Sequence, residues 1–178
     1  MSELTKKEME AILLEHEKAE LEFDLDATMA TLVPNPHYEL AFLGLAIDGW
    51  DGVREAYRRL LRPNPGNANI AAKRRFHAVA ANTLVRDAHV TITNPNGERV
   101  TGLYLVVMEF DPESKKIRGE RMFTDTVFGE FMVGQLGKDL ASIPGVTRIT
   151  DSAPLLEEHD AYAVAAARGI TIGRGQPK

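Results

Sequence analysis

The chain contains no cysteine, which excludes a disulfide framework and a thiolate metal site. It also lacks an excess of basic residues, because 21 Lys and Arg stand against 26 Asp and Glu, giving a net charge of -5. Phosphate binding needs a basic surface, so we do not expect nucleic acid as a partner. No apolar run approaches the ~20 residues that span a membrane, and the N-terminal MSELTKKEME has no signal-peptide core. We expect a cytoplasmic protein that does not bind membranes.

The five histidines show no metal-binding pattern. No two of them are spaced i, i+4 and there is no HExxH motif, so we expect no metal site. His16 falls on the apolar face of the first predicted helix, where a neutral imidazole needs a hydrogen-bond partner. Two interpretations stay open for His16: a core histidine satisfied by its neighbours, or a group that lines a pocket.

What the sequence does contain is typical of one globular domain. The 178 residues are 44% hydrophobic and 26% charged, enough to bury a core around a cavity. The N-terminal part of the chain has the apolar spacing of three helices. Thr5 and Glu8 form a capping-box pair at the start of the first. Asp24 can cap a second helix, which Pro34 and Pro36 end, and Asp51 can cap a third. A strand from His37 to Leu40 lies between the second and third helices.

From Ile70 onward the apolar period changes toward two. The predicted strands are Arg74 to Asn82, Leu84 to Thr93, Arg99 to Phe110, and Ile117 to Asp125. Turn sequences at Asn94 to Gly97 and Asp111 to Ser114 favour an antiparallel meander. Three N-terminal helices on such a sheet predict an α+β fold.

The segment GERMFTDTVFGEFMVGQLG places one acid, Asp125, at an apolar strand-to-helix junction. As a helix cap, Asp125 would accept backbone N–H groups and contribute about 1 kcal/mol. As a general base, its desolvation by Phe123 and Phe128 would raise its pKa toward neutral pH. Both alternatives are compatible with the sequence.

The run EFDPESKKIRGERMFTDTVFGEFMVGQLG resembles the end of the SnoaL-like polyketide cyclase branch of the nuclear transport factor 2-like (NTF2-like) superfamily. HEKAELEFDLDATMATLVPNPHYEL and GWDGVREAYRRLL are similar to its opening helices and first strand. The resemblance covers residues from about 5 to 137 and implies a cone-shaped half-barrel with a deep pocket. It divides the chain into a domain at 1–137 and a C-terminal extension at 138–178, packed on the same domain or on a partner subunit.

The resemblance also implies a function. Members of this family move protons on small hydrophobic carbonyl compounds without a cofactor, as isomerases, aldol-type cyclases or dehydratases. Transferred by position, the base is Asp125, and the expected pocket residues are His16, Tyr38, Glu109, Phe123 and Phe128. The alternative is a non-enzymatic member of the superfamily that binds a small hydrophobic molecule or forms oligomers.

Two further expectations concern the surface and the C-terminus. Of the strand acids, Glu109 is preferred over Glu120 as a pocket residue because it alternates with an apolar row, although cross-strand ion pairs are the default for both. Both rows of the Arg99 to Phe110 strand are apolar, which predicts a homodimer through the outer sheet face or cover by the C-terminal segment. Pro154 opens a predicted last helix that Gly169 ends.

Overall fold

The computed structural model describes residues 3–67, 69–152 and 161–171. The helices are α1 (Lys6–Leu21), α2 (Leu25–Ala30), α3 (Gly49–Leu60), α4 (Thr126–Leu136), α5 (Ile149–Ser152) and α6 (Ala161–Ala167). The strands are β1 (Leu32–Leu40), β2 (Leu45–Asp48), β3 (Ala71–Ala80), β4 (Thr83–Thr93), β5 (Arg99–Asp111), β6 (Lys116–Thr124) and β7 (Val146–Arg148).

The helix caps follow local chemistry. The Thr5 hydroxyl accepts the Glu8 N–H and the Glu8 carboxylate accepts the Thr5 N–H, which confirms the capping box of α1. The Asp24 carboxylate accepts the Ala27 N–H at the start of α2, also as predicted. Helix α3 begins at Gly49, before the expected cap at Asp51, because the chain comes directly out of strand β2.

The seven strands form one sheet in the order β3-β4-β5-β6-β1-β2-β7. This sheet is curved and unclosed, and it packs against the helices, which confirms the predicted α+β architecture. The expectation of a purely antiparallel sheet is wrong in one place, because β1 pairs with β6 in parallel. The long connection from β1 through α3 and the meander makes this parallel pairing possible.

Strand β1 passes through the two prolines that were expected only to end a helix. Its pairs with β6 are Leu32 with Ile117 and then His37 with Gly119, with a register shift between them. Pro34 and Pro36 lie in this shifted stretch, where no ladder N–H is needed from them. The strand therefore begins five residues earlier than predicted.

A bulge in β6 decides which of its side chains face the helices. Phe110 pairs with Ile117, but Glu109 pairs with Gly119, so Arg118 is an extra residue in β6. Side chains of β6 alternate between the two faces of the sheet, and after Arg118 this alternation is the opposite of what counting from Ile117 predicts. Gly119 lies against the His37 carbonyl of β1, where a Cβ atom would clash.

The core lies between the concave face of the sheet and helices α1 to α4. Its fully buried side chains include Met9, Met29, Leu32, Ile47, Val53, Leu84, Met108, Ile117 and Leu136. Among the described helices, none has the length and apolarity needed to cross a membrane. The described residues also contain no group of three His, Asp or Glu side chains placed to hold a metal ion.

The first part of the C-terminal extension packs on the same chain. Leu140 is buried in the core, and β7 pairs with β2 at one edge of the sheet. The helix predicted from Pro154 falls partly on residues 153–160, which lie outside the described residues, while α6 covers Ala161–Ala167. The division of the chain at residue 137 stays a prediction.

Candidate functional site

A cavity of about 810 Å³ lies between the concave face of the sheet and the helices. Most of its wall is apolar and is contributed by α1, the central strands and α4. Representative wall residues are Leu13, Val106, Met108, Met122, Phe128 and Met132. A volume of this size accommodates a small to medium organic molecule, and the wall favours a hydrophobic one.

Polar groups meet at one end of the cavity, where α1, α3 and β1 come together. His16, 1% exposed, lies on the buried face of α1. Its Nδ1 is 2.7 Å from the Thr31 hydroxyl and its Nε2 is 3.0 Å from the Tyr57 hydroxyl. The Tyr57 hydroxyl is in turn 3.2 Å from the Tyr38 hydroxyl. His16, Tyr57 and Tyr38 therefore form one hydrogen-bonded chain, which we call the His–Tyr–Tyr chain.

The direction of this chain follows from the number of hydrogens available. The Thr31 hydroxyl donates its only hydrogen to the Thr28 carbonyl at 2.6 Å, so it must accept from His16 Nδ1–H. When His16 is charged, Nε2–H donates to Tyr57, Tyr57 donates to Tyr38, and the Tyr38 hydrogen stays available to the cavity. When His16 is neutral, Nε2 accepts from Tyr57, and Tyr38 then donates to Tyr57 instead.

Three carboxylates keep His16 charged at neutral pH. Burial lowers the pKa of His16, but Glu20, Glu120 and Glu17 outweigh burial and raise that pKa to about 9. Glu20 acts most directly, because its Oε1 is 3.3 Å from His16 Nε2 one helical turn away. The charged form, with Tyr38 as the terminal donor, is therefore the one expected at pH 7.

Burial also keeps both tyrosine hydroxyls protonated. It raises the pKa of Tyr38 and that of Tyr57 well above the usual value near 10, and the nearby carboxylates add to the rise. The two rings pack edge to face, with centroids 5.8 Å apart. This packing holds the Tyr38 hydroxyl in place as a hydrogen-bond donor.

Glu120 is the acid that lines this end of the cavity. It pairs in register with Met108 of β5 and Tyr38 of β1, and all three side chains line the cavity. No described residue donates a hydrogen bond to its carboxylate. Burial raises the pKa of Glu120 to about 7, where the opposing charge of His16 is outweighed. A carboxyl with this pKa can take or give a proton near neutral pH.

The cavity has a second charged region, where α1 faces β3. Glu17 and Arg74 both line the cavity, and Arg74 Nη2 lies 3.0 and 2.8 Å from the two carboxylate oxygens of Glu17. The Arg74 side chain is 51% exposed, so this pair lies where the cavity meets solvent. We call this place the mouth of the cavity.

Comparisons with known proteins identify the fold but no sequence family. No protein-family model matches the chain, and no curated protein matches it. Solved structures do match. An NTF2-like protein of unknown function from Burkholderia pseudomallei K96243 is 19% identical, with a TM-score of 0.54 over 76% of this chain and 98% of that one. The chain has the NTF2-like fold.

Two further structures with this NTF2-like fold carry functional descriptions. SalBIII, described as an epoxide hydrolase/cyclase-like enzyme in pyran ring formation in the polyether salinomycin, is 20% identical, with a TM-score of 0.55 over 68% of this chain and 94% of that one. A protein from Jannaschia sp. CCS1 described as SnoaL-like polyketide cyclase is 12% identical, with a TM-score of 0.55 over 77% and 99%. At these identities the likeness shows the fold alone.

Within the NTF2-like fold, three of the predicted pocket residues line the cavity. These are His16, Tyr38 and Phe128. His16 and Tyr38 are joined through Tyr57, which the sequence offered as a possible hydroxyl donor or as a packed core aromatic. Phe128 stacks on Phe131 with ring centroids 5.7 Å apart and forms part of the apolar wall.

The predictions for Glu109 and Phe123 are wrong, because both side chains lie on the outer face of the sheet. Glu109 forms an ion pair with Arg121 at 2.6 Å. Phe123 is 47% exposed. The β6 bulge explains why Phe123 faces outward, because the extra residue reverses which side chains of that strand face the cavity. Glu109 pairs with Gly119, the residue before Glu120, so the side chains of Glu109 and Glu120 point to opposite faces of the sheet. Glu120 is therefore the acid that lines the cavity.

Asp125 is the N-cap of α4. Its carboxylate accepts the Phe128 N–H at 2.9 Å, and it does not line the cavity. Strand β6 ends at Thr124, so the chain has already turned away from the concave face at Asp125. Of the two alternatives stated for Asp125, the structure has the helix cap.

Some residues of this site could have been found from the sequence. Glu20 lies four residues after His16 and therefore on the same helical face. Tyr57 lies on the inward face of its predicted helix. Nothing in the local sequence brings Arg74 or Glu120 to the cavity, because their positions depend on the strand register and on the bulge.

Proposed function

We propose that this protein is a cofactor-independent proton-transfer enzyme that acts on a small hydrophobic carbonyl compound. One observation carries the proposal: Glu120, a half-buried carboxyl to which no described residue donates a hydrogen bond and whose pKa is raised to about 7, lines the same end of an apolar cavity as Tyr38. A base and an oxyanion donor on one ligand are the two groups that enolisation needs.

In the proposed reaction Glu120 removes a proton from the carbon next to the substrate carbonyl. The electron pair of the broken C–H bond moves to form the enolate, and negative charge develops on the carbonyl oxygen. Glu120 then returns the proton to the same carbon or to another position of the enolate, which gives isomerisation. Loss of a leaving group or attack on a second carbonyl would give a dehydratase or a cyclase.

The His–Tyr–Tyr chain supplies the complementary charge. With His16 charged, each hydroxyl is polarised by the donor behind it, and the Tyr38 O–H is left to donate to the enolate oxygen. This donor is fixed before the reaction begins, so little reorganisation is needed as charge develops. The apolar wall excludes water and strengthens the interaction.

The test is hydrogen exchange on a simple enolisable ketone. With 2-tetralone in D₂O, proton NMR follows loss of the hydrogens next to the carbonyl. We expect wild-type protein to accelerate exchange and Glu120→Gln to lower the catalysed rate by about 10²-fold or more, because the amide cannot act as the base. Glu120→Gln with an unchanged rate would exclude Glu120 as the base.

Two matched variants control for the loss of a carboxylate elsewhere. Glu109→Gln makes the same chemical change on the adjacent strand but on the outer face of the sheet, so it should keep the rate. Asp125→Asn removes the acid of the helix cap and should also keep the rate. A collapse of exchange in Asp125→Asn with Glu120→Gln still active would restore Asp125 as the base and overturn this proposal.

The pH dependence separates the two groups. Exchange should rise with pH as Glu120 loses its proton around pH 7. It should fall again as His16 loses its charge around pH 9, because Tyr38 then donates to Tyr57 rather than to the substrate. Tyr38→Phe should lower the rate with the acidic limb of the profile retained. A profile without a limb near pH 7 would contradict the role of Glu120.

A further inference from the structure

The mouth of the cavity holds more positive than negative charge. Glu17 is shared between two guanidinium groups, since Arg86 Nη1 lies 3.3 Å from the same Glu17 Oε1 that faces Arg74. Arg86 comes from strand β4 and is only 3% exposed. One carboxylate therefore faces two cations, in a protein whose overall charge is -5.

Neighbouring groups do not remove this imbalance. Glu10 is 3.7 Å from Lys6 and 3.5 Å from His77, so its charge is already matched by Lys6. Burial and the charge of Arg86 lower the pKa of His77, which leaves this histidine neutral at pH 7. Charged groups from α1, β3 and β4 thus leave one net positive charge at the mouth.

Arg86 itself is incompletely satisfied. Its Nε atom is buried and has no hydrogen-bond partner among the described residues. Desolvation and the nearby Arg74 lower the pKa of Arg86. A buried guanidinium that must share one carboxylate with a second cation destabilises the folded chain. A second anion at the mouth would reduce this destabilisation.

The mouth and the proposed base are carried by different strands, β3 and β6. Arg74 is in register with Tyr104 through Ala88, whereas Glu120 is in register with Met108. Three strand spacings separate β3 from β6, about 14 Å, and the four residues from Tyr104 to Met108 add about 13 Å along the strand direction. These are backbone separations; both side chains reach into the cavity, and the charge of Glu17 is close enough to raise the pKa of Glu120. One ligand can therefore contact Arg74 and Glu120 together.

We propose that the cavity takes a hydrophobic ligand with an acidic group, and that this anionic group pairs with Arg74 at the mouth. Arg74 would turn from Glu17 to the ligand, and Glu17 would stay with Arg86, so that each cation has one anion. The inference rests on the proposed function only in that it uses the same cavity. It assigns to the substrate a negative charge on a group separate from the reacting carbonyl.

Two dyes with one aromatic body test the charge preference. Both 8-anilinonaphthalene-1-sulfonate and N-phenyl-1-naphthylamine carry the anilinonaphthalene group, and only the first carries an anion. Fluorescence titration gives a Kd for each. We expect Arg74→Gln to weaken binding of the sulfonate dye about tenfold, as for the loss of one charge-assisted contact, with the neutral dye unchanged within a factor of about two.

Two variants complete the test. Arg75→Gln removes a charge from the next residue, which pairs with Asp87 on the outer face at 2.9 Å, and should change neither dye. Glu17→Gln removes the internal competitor and should tighten the sulfonate dye by roughly threefold. Equal effects of Arg74→Gln on both dyes, or weaker sulfonate binding in Glu17→Gln, would overturn the inference.

The two proposals can fail separately. Glu120→Gln should change the ratio of the two dye affinities much less than Arg74→Gln does, because Glu120 lies on β6 and does not pair with Arg74. An absence of any ketone exchange would remove the proposed reaction without changing the dye ratio. A dye ratio that is insensitive to Arg74 would remove the anion site without changing the effect of Glu120 on exchange.

Discussion

The Glu120 carboxyl links chemistry and stability in one residue. The Glu120 carboxylate is half-buried in a largely apolar wall and receives no hydrogen bond from the described residues, so it is less stable in the folded chain than in water. The rise of its pKa to about 7 expresses that cost. The same property makes it a suitable base near neutral pH. The ionised carboxylate therefore lowers the stability of the folded chain above about pH 7.

This cost gives a prediction that needs no substrate. The pKa of Glu120 is higher in the folded chain than in the unfolded one, so the folded state binds more protons between about pH 4.5 and 7, and its stability falls as pH rises through that range. Glu120→Gln removes this term. Urea denaturation should therefore show that the variant gains stability relative to wild type as pH rises. The difference in unfolding free energy, variant minus wild type, should be about 1–3 kcal/mol higher at pH 8 than at pH 5.

Glu109→Gln is the matched control, because the Glu109 carboxylate is paired with Arg121 on the outer face. Its effect on the unfolding free energy should be the same at both pH values within error. Equal effects of Glu120→Gln at pH 5 and pH 8 would mean that the carboxyl of Glu120 titrates normally, and it would then be an ordinary solvated acid.

Single residues also mark the limit of the sequence analysis. His16 and Tyr38 were found because helix periodicity and strand alternation are local patterns. Glu109 and Glu120 could not be ranked correctly, since both rows of β5 are apolar and only the pairing of Glu109 with Gly119 shows that the two acids face opposite ways. A bulge inserts one residue and so reverses which side chains of the strand face each side of the sheet. The local sequence does not show where a bulge lies.

At the scale of elements, the caps and turns were the predictable part. The capping box of α1, the Asp24 cap of α2 and the turns after β4 and β5 were all expected from short sequence motifs. Strand β2 was missed because it has four residues and leads directly into a helix. The parallel pairing of β1 with β6 was missed because it joins segments that are far apart in sequence.

The cap of α4 gives a prediction for that element. Because the Asp125 carboxylate accepts the Phe128 N–H at 2.9 Å, Asp125→Ala should lower the unfolding free energy by about 1 kcal/mol. Asparagine caps helices as well as aspartate does, so Asp125→Asn should restore most of the loss. Urea denaturation of the three proteins measures the series.

The result that would contradict the cap is a different order of the series. If Asp125→Asn were as unstable as Asp125→Ala, the charge rather than the hydrogen bond would matter at this position. If both variants kept the stability of wild type, Asp125 would not act as a cap. Ketone exchange by the folded variants is expected to be unchanged in either case, because Asp125 does not line the cavity.

At the scale of the whole molecule, the two faces of the sheet have different roles. The concave face and the helices enclose the cavity, with the proposed base at one end and the charged mouth where α1 faces β3. The outer face carries ion pairs such as Arg121 with Glu109 and Glu39 beside apolar side chains.

One row of residues across four strands of the outer face carries three apolar side chains and one acid, Asp87. Phe76, Asp87, Leu105 and Phe123 are in register from β3 to β6, and Phe76 is 56% and Phe123 47% exposed. Two large exposed aromatic side chains on one sheet face are unusual for a monomer. They are instead expected at the centre of an interface between identical chains, where a two-fold axis brings the same patch together.

We therefore predict a homodimer through the outer face of the sheet. Sedimentation at micromolar concentration should show a dimer for wild type, and Phe123→Glu should shift it to monomer, because a buried unpaired carboxylate would be placed in the interface. Leu14→Glu is the matched control, since Leu14 is 63% exposed on α1, away from this face, and it should remain dimeric. A wild-type monomer, or equal dissociation in both variants, would contradict the prediction.

Ligand binding to the cavity should survive in the Phe123→Glu monomer, because every residue of the proposed site comes from one chain.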